Sequence, residues 1–133
     1  MIDATMAALE RAIDLRMRAH EVHTTNIANA NVPGYKARKI DFDARMRDAL
    51  EVMNSETATT QVQREEQAKE SLGNVGPDIY EDPLARVSGD GNSVDMEREQ
   101  AEVAKNTIAY ETAVQLLSKK FLLSKQVLSE GGR

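Results

Sequence analysis

The sequence has 133 residues, a net charge of −5, 4% aromatic residues, no cysteine and no tryptophan, enough for one modest domain but thin in the large side chains that close an enzyme cleft. The acidic balance leaves a general nucleic-acid role without the positive surface it needs, and the absence of cysteine excludes disulfides and thiolate chemistry. No stretch approaches a membrane span, and the opening Met1-Ile2-Asp3-Ala4 lacks a basic region followed by an apolar run, so no cleaved secretory signal is expected.

The first element, in a unit spanning 1–32, is a helix from about Asp3 to about Ala30. Its clearest stripe is Ile2, Met6, Leu9, Ile13, Met17, His20, Thr24 and Ile27, spaced by three or four. A weaker line of Ala8, Leu15 and Val22 lies nearly opposite, seven apart. A helix with two thin seams needs two neighbours. It stops at Asn31-Val32-Pro33-Gly34, where Pro33 biases Val32 out of the helical region and Gly34 can take positive φ. Residues 33–54 then read as a turn, an extended stretch from Tyr35 to Asp43, and a short helix from about Asp43 to Asn54.

Residues 55–92 are polar and irregular, with isolated apolar positions and both remaining prolines, Pro77 and Pro83. Alone, such a segment buries too little to offset its ordering entropy, so it is expected to be disordered in the monomer and to order on assembly. The last unit, 93–133, is a helix capped by Asn92 or Asp95, running to about Glu130 and ended by Gly131-Gly132. One apolar stripe is Val103, Tyr110, Val114, Leu117, Phe121 and Leu128, at coiled-coil spacing. A second, rotated by roughly 100–120°, is Ala109, Ala113, Leu116, Leu123 and Val127. A mainly α fold follows, in which two long terminal helices form an antiparallel coiled-coil-like hairpin. One stripe is buried on the first helix and the other is left as an interaction surface.

Nothing in the chain assembles a catalytic, cofactor or metal site. His20 and His23 are three apart, where two helix-borne zinc ligands need a spacing of four. Asp90-Gly91-Asn92-Ser93-Val94-Asp95 has Val94 and Asp95 where a calcium loop needs a ligand and a glycine, so it reads as a turn and helix cap. The basic cluster Lys36, Arg38, Lys39, Arg45 and Arg47 is interleaved with Asp41, Asp43 and Asp48, and reads as a solvated or subunit-contacting face. Asn26, Asn29 and Asn31 resist so simple an account. Asparagine is a poor helix former, and three at one helix end suggest amides tying that end to the returning chain and to neighbours.

Asn26-Ile27-Ala28-Asn29-Ala30-Asn31-Val32-Pro33-Gly34-Tyr35 resembles the N-terminal motif of flagellar rod and hook proteins, with Val32 where that family usually has threonine. Asp90-Gly91-Asn92-Ser93-Val94-Asp95-Met96-Glu97-Arg98-Glu99 resembles the start of the C-terminal helix in the short proximal branch (FlgB-type) of the flagellar basal-body rod family. The other short proximal branch (FlgC-type) is less similar there. The resemblance implies a non-enzymatic structural subunit of the proximal rod, exported through the flagellar type III apparatus without signal cleavage. It further implies a tubular assembly with its own copies and other rod proteins around an export channel, transmitting torque. The neighbours it implies are the adaptor protein and export gate at the rod base and the surrounding membrane ring, with no small-molecule substrate. The implied assembly residues are Asn26, Ile27, Ala28, Asn29, Pro33, Gly34, Tyr35, Val94, Asp95 and Met96, beside the helix seams. A soluble coiled-coil adaptor or export chaperone is the reading from another class; it would fold and dimerise alone.

Overall fold

In the computed structural model the described residues are 4–44, 46–47, 62–63, 66–67, 70 and 79–132. Helix α1 spans Ala4–Ala28, strand β1 Arg38–Ile40, strand β2 Ile79–Glu81 and helix α2 Met96–Glu130. The two long helices and the hairpin expected from the terminal periodicities are present. α1 is shorter than expected at its C-terminal end, where residues 29–34 turn instead. Residues 42–44 and 46–47 are helical, starting with an Asp41 carboxylate that accepts from the Ala44 N–H at 3.2 Å. The remainder of the predicted short helix lies outside the described residues, as does most of 55–78.

The ends of α2 follow from local chemistry. Asp95 sits in extended conformation and its carboxylate accepts the Arg98 N–H, while Gly131, at φ −73, donates its N–H to the Val127 carbonyl. Asp95, not Asn92, is therefore the cap; Asn92 is used elsewhere. Acidic Glu97 and Glu99 in the first turn suit the positive end of the helix dipole.

α1 has the two neighbours its seams require, but they divide it differently from the expectation. The buried positions are Leu15, Ala19, Val22 and Asn26, a continuation of the weaker line, together with Ala4 and Met6 near the start. Leu15 packs with Ala7, Ala8, Phe42 and Met46, so the chain returning from the Pro-Gly turn covers this seam. The Arg16 guanidinium lies 3.9 Å above the Phe42 ring and closes the contact's edge. Of the stripe expected to dominate, Leu9, Ile13 and Ile27 are half-buried, and Met17 is 51% exposed. Periodicity ranks seams by apolar content, whereas the chain's own return path decided which of them is covered.

α2 runs antiparallel to α1. Glu99 meets His23 and Asn106 meets Arg16, seven residues on in each direction, so the helices stay in step. Continued at that step, Ala4 falls level with about residue 118, and roughly the last twelve residues of α2, about 18 Å, extend beyond the described start of α1. The contact line on α2 is Glu99, Asn106 and Ala113, flanked by half-buried Val103, Tyr110 and Leu117. This corrects the expectation of one wholly buried stripe: Val114, Phe121 and Leu128 of that stripe are exposed, and so are Leu116, Leu123 and Val127 of the other. The seam dries only as far as α1 reaches. Among the described residues seven apolar side chains are buried, and four of them are alanines. That core is thin for two helices of 25 and 35 residues.

Strands β1 and β2 pair antiparallel, with Arg38 opposite Glu81, Lys39 opposite Tyr80 and Ile40 opposite Ile79. A two-stranded ribbon is marginal alone, and this one is held from outside by Asn26.

Candidate functional site

The two motifs singled out in the sequence, 64 residues apart at Asn26 and Asp90, meet in space. Their joint begins at Asn26, fully buried on α1. Its Nδ2 donates to the Arg38 carbonyl at 2.8 Å, and its Oδ1 accepts the Arg38 N–H at 2.9 Å and the Tyr35 hydroxyl at 3.2 Å. The side chain thus acts as a peptide group, pairing both ways with the backbone of β1. Only an amide presents a donor and an acceptor side by side in this way. Asn29 turns its amide inward on its own helix, donating to the Thr25 carbonyl at 2.8 Å.

Asn92, also buried, performs the reciprocal task from the other motif. Its Nδ2 donates to the carbonyls of Asn29 (2.9 Å) and Val32 (2.8 Å), which also accept the backbone N–H groups of Val32 and Tyr35 in the turn after α1. Its Oδ1 accepts the Val94 N–H at 2.7 Å. Around it the Gly34 N–H donates to the Asp90 carbonyl, the Ser93 N–H to the Tyr35 carbonyl, and the Lys36 ammonium to the Gly91 carbonyl at 2.7 Å. Ser93 Oγ accepts the Ala37 N–H at 2.8 Å. The Asp90 carboxylate takes the Ser88 hydroxyl and the Asn92 N–H, and these bonds hold its pKa below the ordinary value. We refer to this set of bonds as the clasp.

Two glycines let the motifs approach. Gly34 and Gly91 both have positive φ, +76 and +83, and a Cβ on Gly91 would lie 3.3 Å from the Gly34 Cα. A Cβ on Gly34 would meet nothing within 4 Å. Gly34→Ala is therefore expected to cost about 1 kcal/mol, from backbone strain alone. Gly91→Ala adds a steric term against backbone and should cost about 2 kcal/mol or more. Equilibrium urea unfolding of the two variants would measure this, and equal losses would mean that the motifs are not in close contact.

Beyond the clasp, two polar contacts set the register of the helices and a third ties the ribbon to α2. His23 Nδ1 lies 2.7 Å from a Glu99 carboxylate oxygen, both side chains largely buried. Asn106 Nδ2 donates to the Arg16 carbonyl at 2.7 Å. Asp82 is nearly enclosed between Arg98 at 3.3 Å and Lys39 at 3.7 Å, and its N–H donates to the Ala37 carbonyl. A groove of about 410 Å³ lies between α1, α2 and the ribbon, lined by these paired groups together with Arg16, Asp41 and Asp43. None of these contacts forms a metal site: among the described residues no group of three or more His, Cys, Asp or Glu could hold an ion. No helix among them is long and apolar enough to cross a membrane.

Of the residues marked by resemblance, Asn26, Asn29, Gly34, Tyr35 and Val94 line the clasp, and Asp95 caps α2. Ala28, Pro33 and Met96 are exposed, and Ile27 is half-buried. Sequence reasoning missed Asn92 and Ser93 as clasp residues, and Glu99 and Asn106 as buried helix-to-helix contacts. The available signal was the seven-residue spacing of Glu99, Asn106 and Ala113 on one line of an otherwise charged helix.

No family model matches the chain. Individual proteins do. The chain is 33% identical over 137 aligned residues to the flagellar basal body rod protein FlgB of Escherichia coli (strain K12), covering 98% of this chain and 96% of that one. It is 30% identical to the FlgB of Salmonella typhimurium at the same coverage. To the FlgB of Cereibacter sphaeroides it is 39% identical, over 83% of this chain and 82% of that one.

Proposed function

The chain belongs to the FlgB family of flagellar basal body rod proteins, and from that premise we propose that it is a subunit of the proximal rod that polymerises through the faces its own fold leaves exposed. The observation that carries this reading is the distal half of α2. Leu116, Leu122, Leu123, Val127 and Leu128 are between 48% and 69% exposed, a concentration that a lone soluble chain does not keep in water without use. Burying each such side chain contributes roughly 1.5–3 kcal/mol, so a few contacts per subunit outweigh the ordering entropy of association.

The thin intramolecular core fits the same reading. A chain whose buried apolar set, among the described residues, is mostly alanine unfolds readily, which suits passage through a narrow export channel. Its neighbours are then other rod proteins, its own copies, the adaptor and export gate at the rod base, and the enclosing membrane ring. Its role is mechanical, transmitting torque and walling the export path, with no reaction to catalyse. The clasp fixes the angle at which α1 and α2 leave their shared end, and so the geometry that each copy presents to the next. Isolation of detergent-extracted basal bodies from the cell that makes this chain tests the proposal. The chain should co-purify with the rod and remain after the outer rings are stripped; recovery only in the soluble fraction would contradict it.

A further inference from the structure

Asp90-Gly91 is the only aspartate or asparagine followed by glycine in the chain, and it stands at the centre of the clasp. Such a pair carries its own chemistry. The glycine amide nitrogen, with no side chain beside it, can attack the carboxyl carbon of the preceding aspartate. A nitrogen–carbon bond forms, the amide proton and the carboxyl hydroxyl leave as water, and the five-membered ring that closes is a succinimide. Water reopens the ring at either carbonyl, restoring aspartate or leaving an isoaspartate whose main chain runs through the former side chain. Ring closure needs a protonated carboxyl and a backbone free to turn that carbon onto the nitrogen, a freedom that glycine supplies.

The closed clasp withholds both conditions. Asp90 is exposed, so its hydrogen bonds, not burial, control it. The Ser88 hydroxyl and the Asn92 N–H donate to its carboxylate, which keeps it ionised and its pKa below the ordinary carboxylate value. The Gly91 N–H donates to the Ser88 carbonyl at 3.0 Å, and the Gly91 carbonyl accepts the Lys36 ammonium at 2.7 Å. The attacking nitrogen and the carbon it would attack are thus each engaged elsewhere. We propose that Asp90-Gly91 is a site of isoaspartate formation that the closed clasp protects and the open chain exposes, so that a chain left unfolded loses the means to close. The loss follows from the product's covalent structure. In isoaspartate the Asp90 main-chain carbonyl, which accepts the Gly34 N–H at 2.9 Å, becomes a free carboxylate. The link onward to Gly91 lengthens by one methylene, and the Asn92 N–H loses the side-chain carboxylate that it bonds. Gly91 and Asn92 then no longer reach Lys36 and the end of α1 together.

Ageing of the purified full chain at neutral pH and 37 °C, in native buffer and in concentrated urea, tests it. Enzymatic methylation of isoaspartyl carboxylates counts the product, and mass spectrometry of proteolytic peptides places it. In urea isoaspartate should accumulate at residue 90. In native buffer it should form there about tenfold or more slowly, because the reaction then runs only through the fraction of time that the clasp is open. Ser88→Ala removes a bond to the carboxylate without touching the reacting pair. It should raise the native rate about threefold or more and leave the rate in urea unchanged. Chain aged in urea and then returned to native buffer should unfold at a lower urea concentration than fresh chain. Equal rates in the two buffers would overturn the proposal, as would urea-aged chain without isoaspartate at residue 90. A Ser88→Ala variant with the unaltered native rate would do the same, and so would aged chain as stable as fresh.

Discussion

Asn26→Ala is expected to destabilise the hairpin by about 3 kcal/mol, the largest loss from any substitution that leaves its apolar contacts in place. The argument rests on what would remain. The Arg38 N–H and carbonyl and the Tyr35 hydroxyl all turn to this one amide, at a position with no exposure to water. Each polar group left unpaired there costs about 1–3 kcal/mol, offset in part where water can enter on the exposed Arg38 side. Asn26→Asp keeps the acceptor but loses the donor, and it sets a carboxylate against the Arg38 carbonyl, so near neutral pH it should be no better tolerated than alanine. Asn31→Ala, at the exposed third asparagine of the motif, should change stability by about 0.5 kcal/mol at most. Urea unfolding followed by the helix signal compares all three. An Asn26→Ala variant within about 1 kcal/mol of the unaltered chain would show that the clasp does not join the helices.

Adjacent leucines on α2 are expected to separate folding from assembly. Leu117 is half-buried, four residues past Ala113 on the side of α2 that meets α1. Leu117→Asp places a charge in that seam and should destabilise the isolated chain by about 2–3 kcal/mol. Leu116 is 48% exposed. Leu116→Asp should leave the isolated chain within about 0.5 kcal/mol of its original stability and yet abolish incorporation into basal bodies and with it swimming. Thermal unfolding of the purified variants and motility of cells carrying them are the two readouts. A motile Leu116→Asp strain would rule out this face as a subunit contact.

The sequence made its local punctuation readable. Pro33-Gly34 ends the first helical region and Asp95 begins the last helix because each acts through its own backbone and immediate neighbours. Asn26 announced itself as an amide misplaced in a helix, and the partner found for it, the returning chain, is the one its position suggested. The pairing of Asn92 with the carbonyls of Asn29 and Val32 was not readable, because a turn with a helix cap explains Asp90–Asp95 without any distant partner. Strand β2 was hidden for a related reason: three residues in polar surroundings become a strand only because β1 is held by Asn26. Which seam of α1 is buried depended on where the returning chain places Phe42 and Met46, and no count of apolar positions on α1 contains that path. Glu99 and Asn106 lie on the contact line of α2, where apolar periodicity assigns no partner to a charge or an amide.

A density map of the isolated basal body, at a resolution that traces side chains, tests the central claim most directly. The account predicts this chain in the proximal rod as an α1–α2 hairpin with Asn26 still bonded to Arg38, and with Leu116, Leu123 and Val127 covered by neighbouring subunits. A chain located outside the rod, or one within it whose distal α2 leucines still face water, would contradict it.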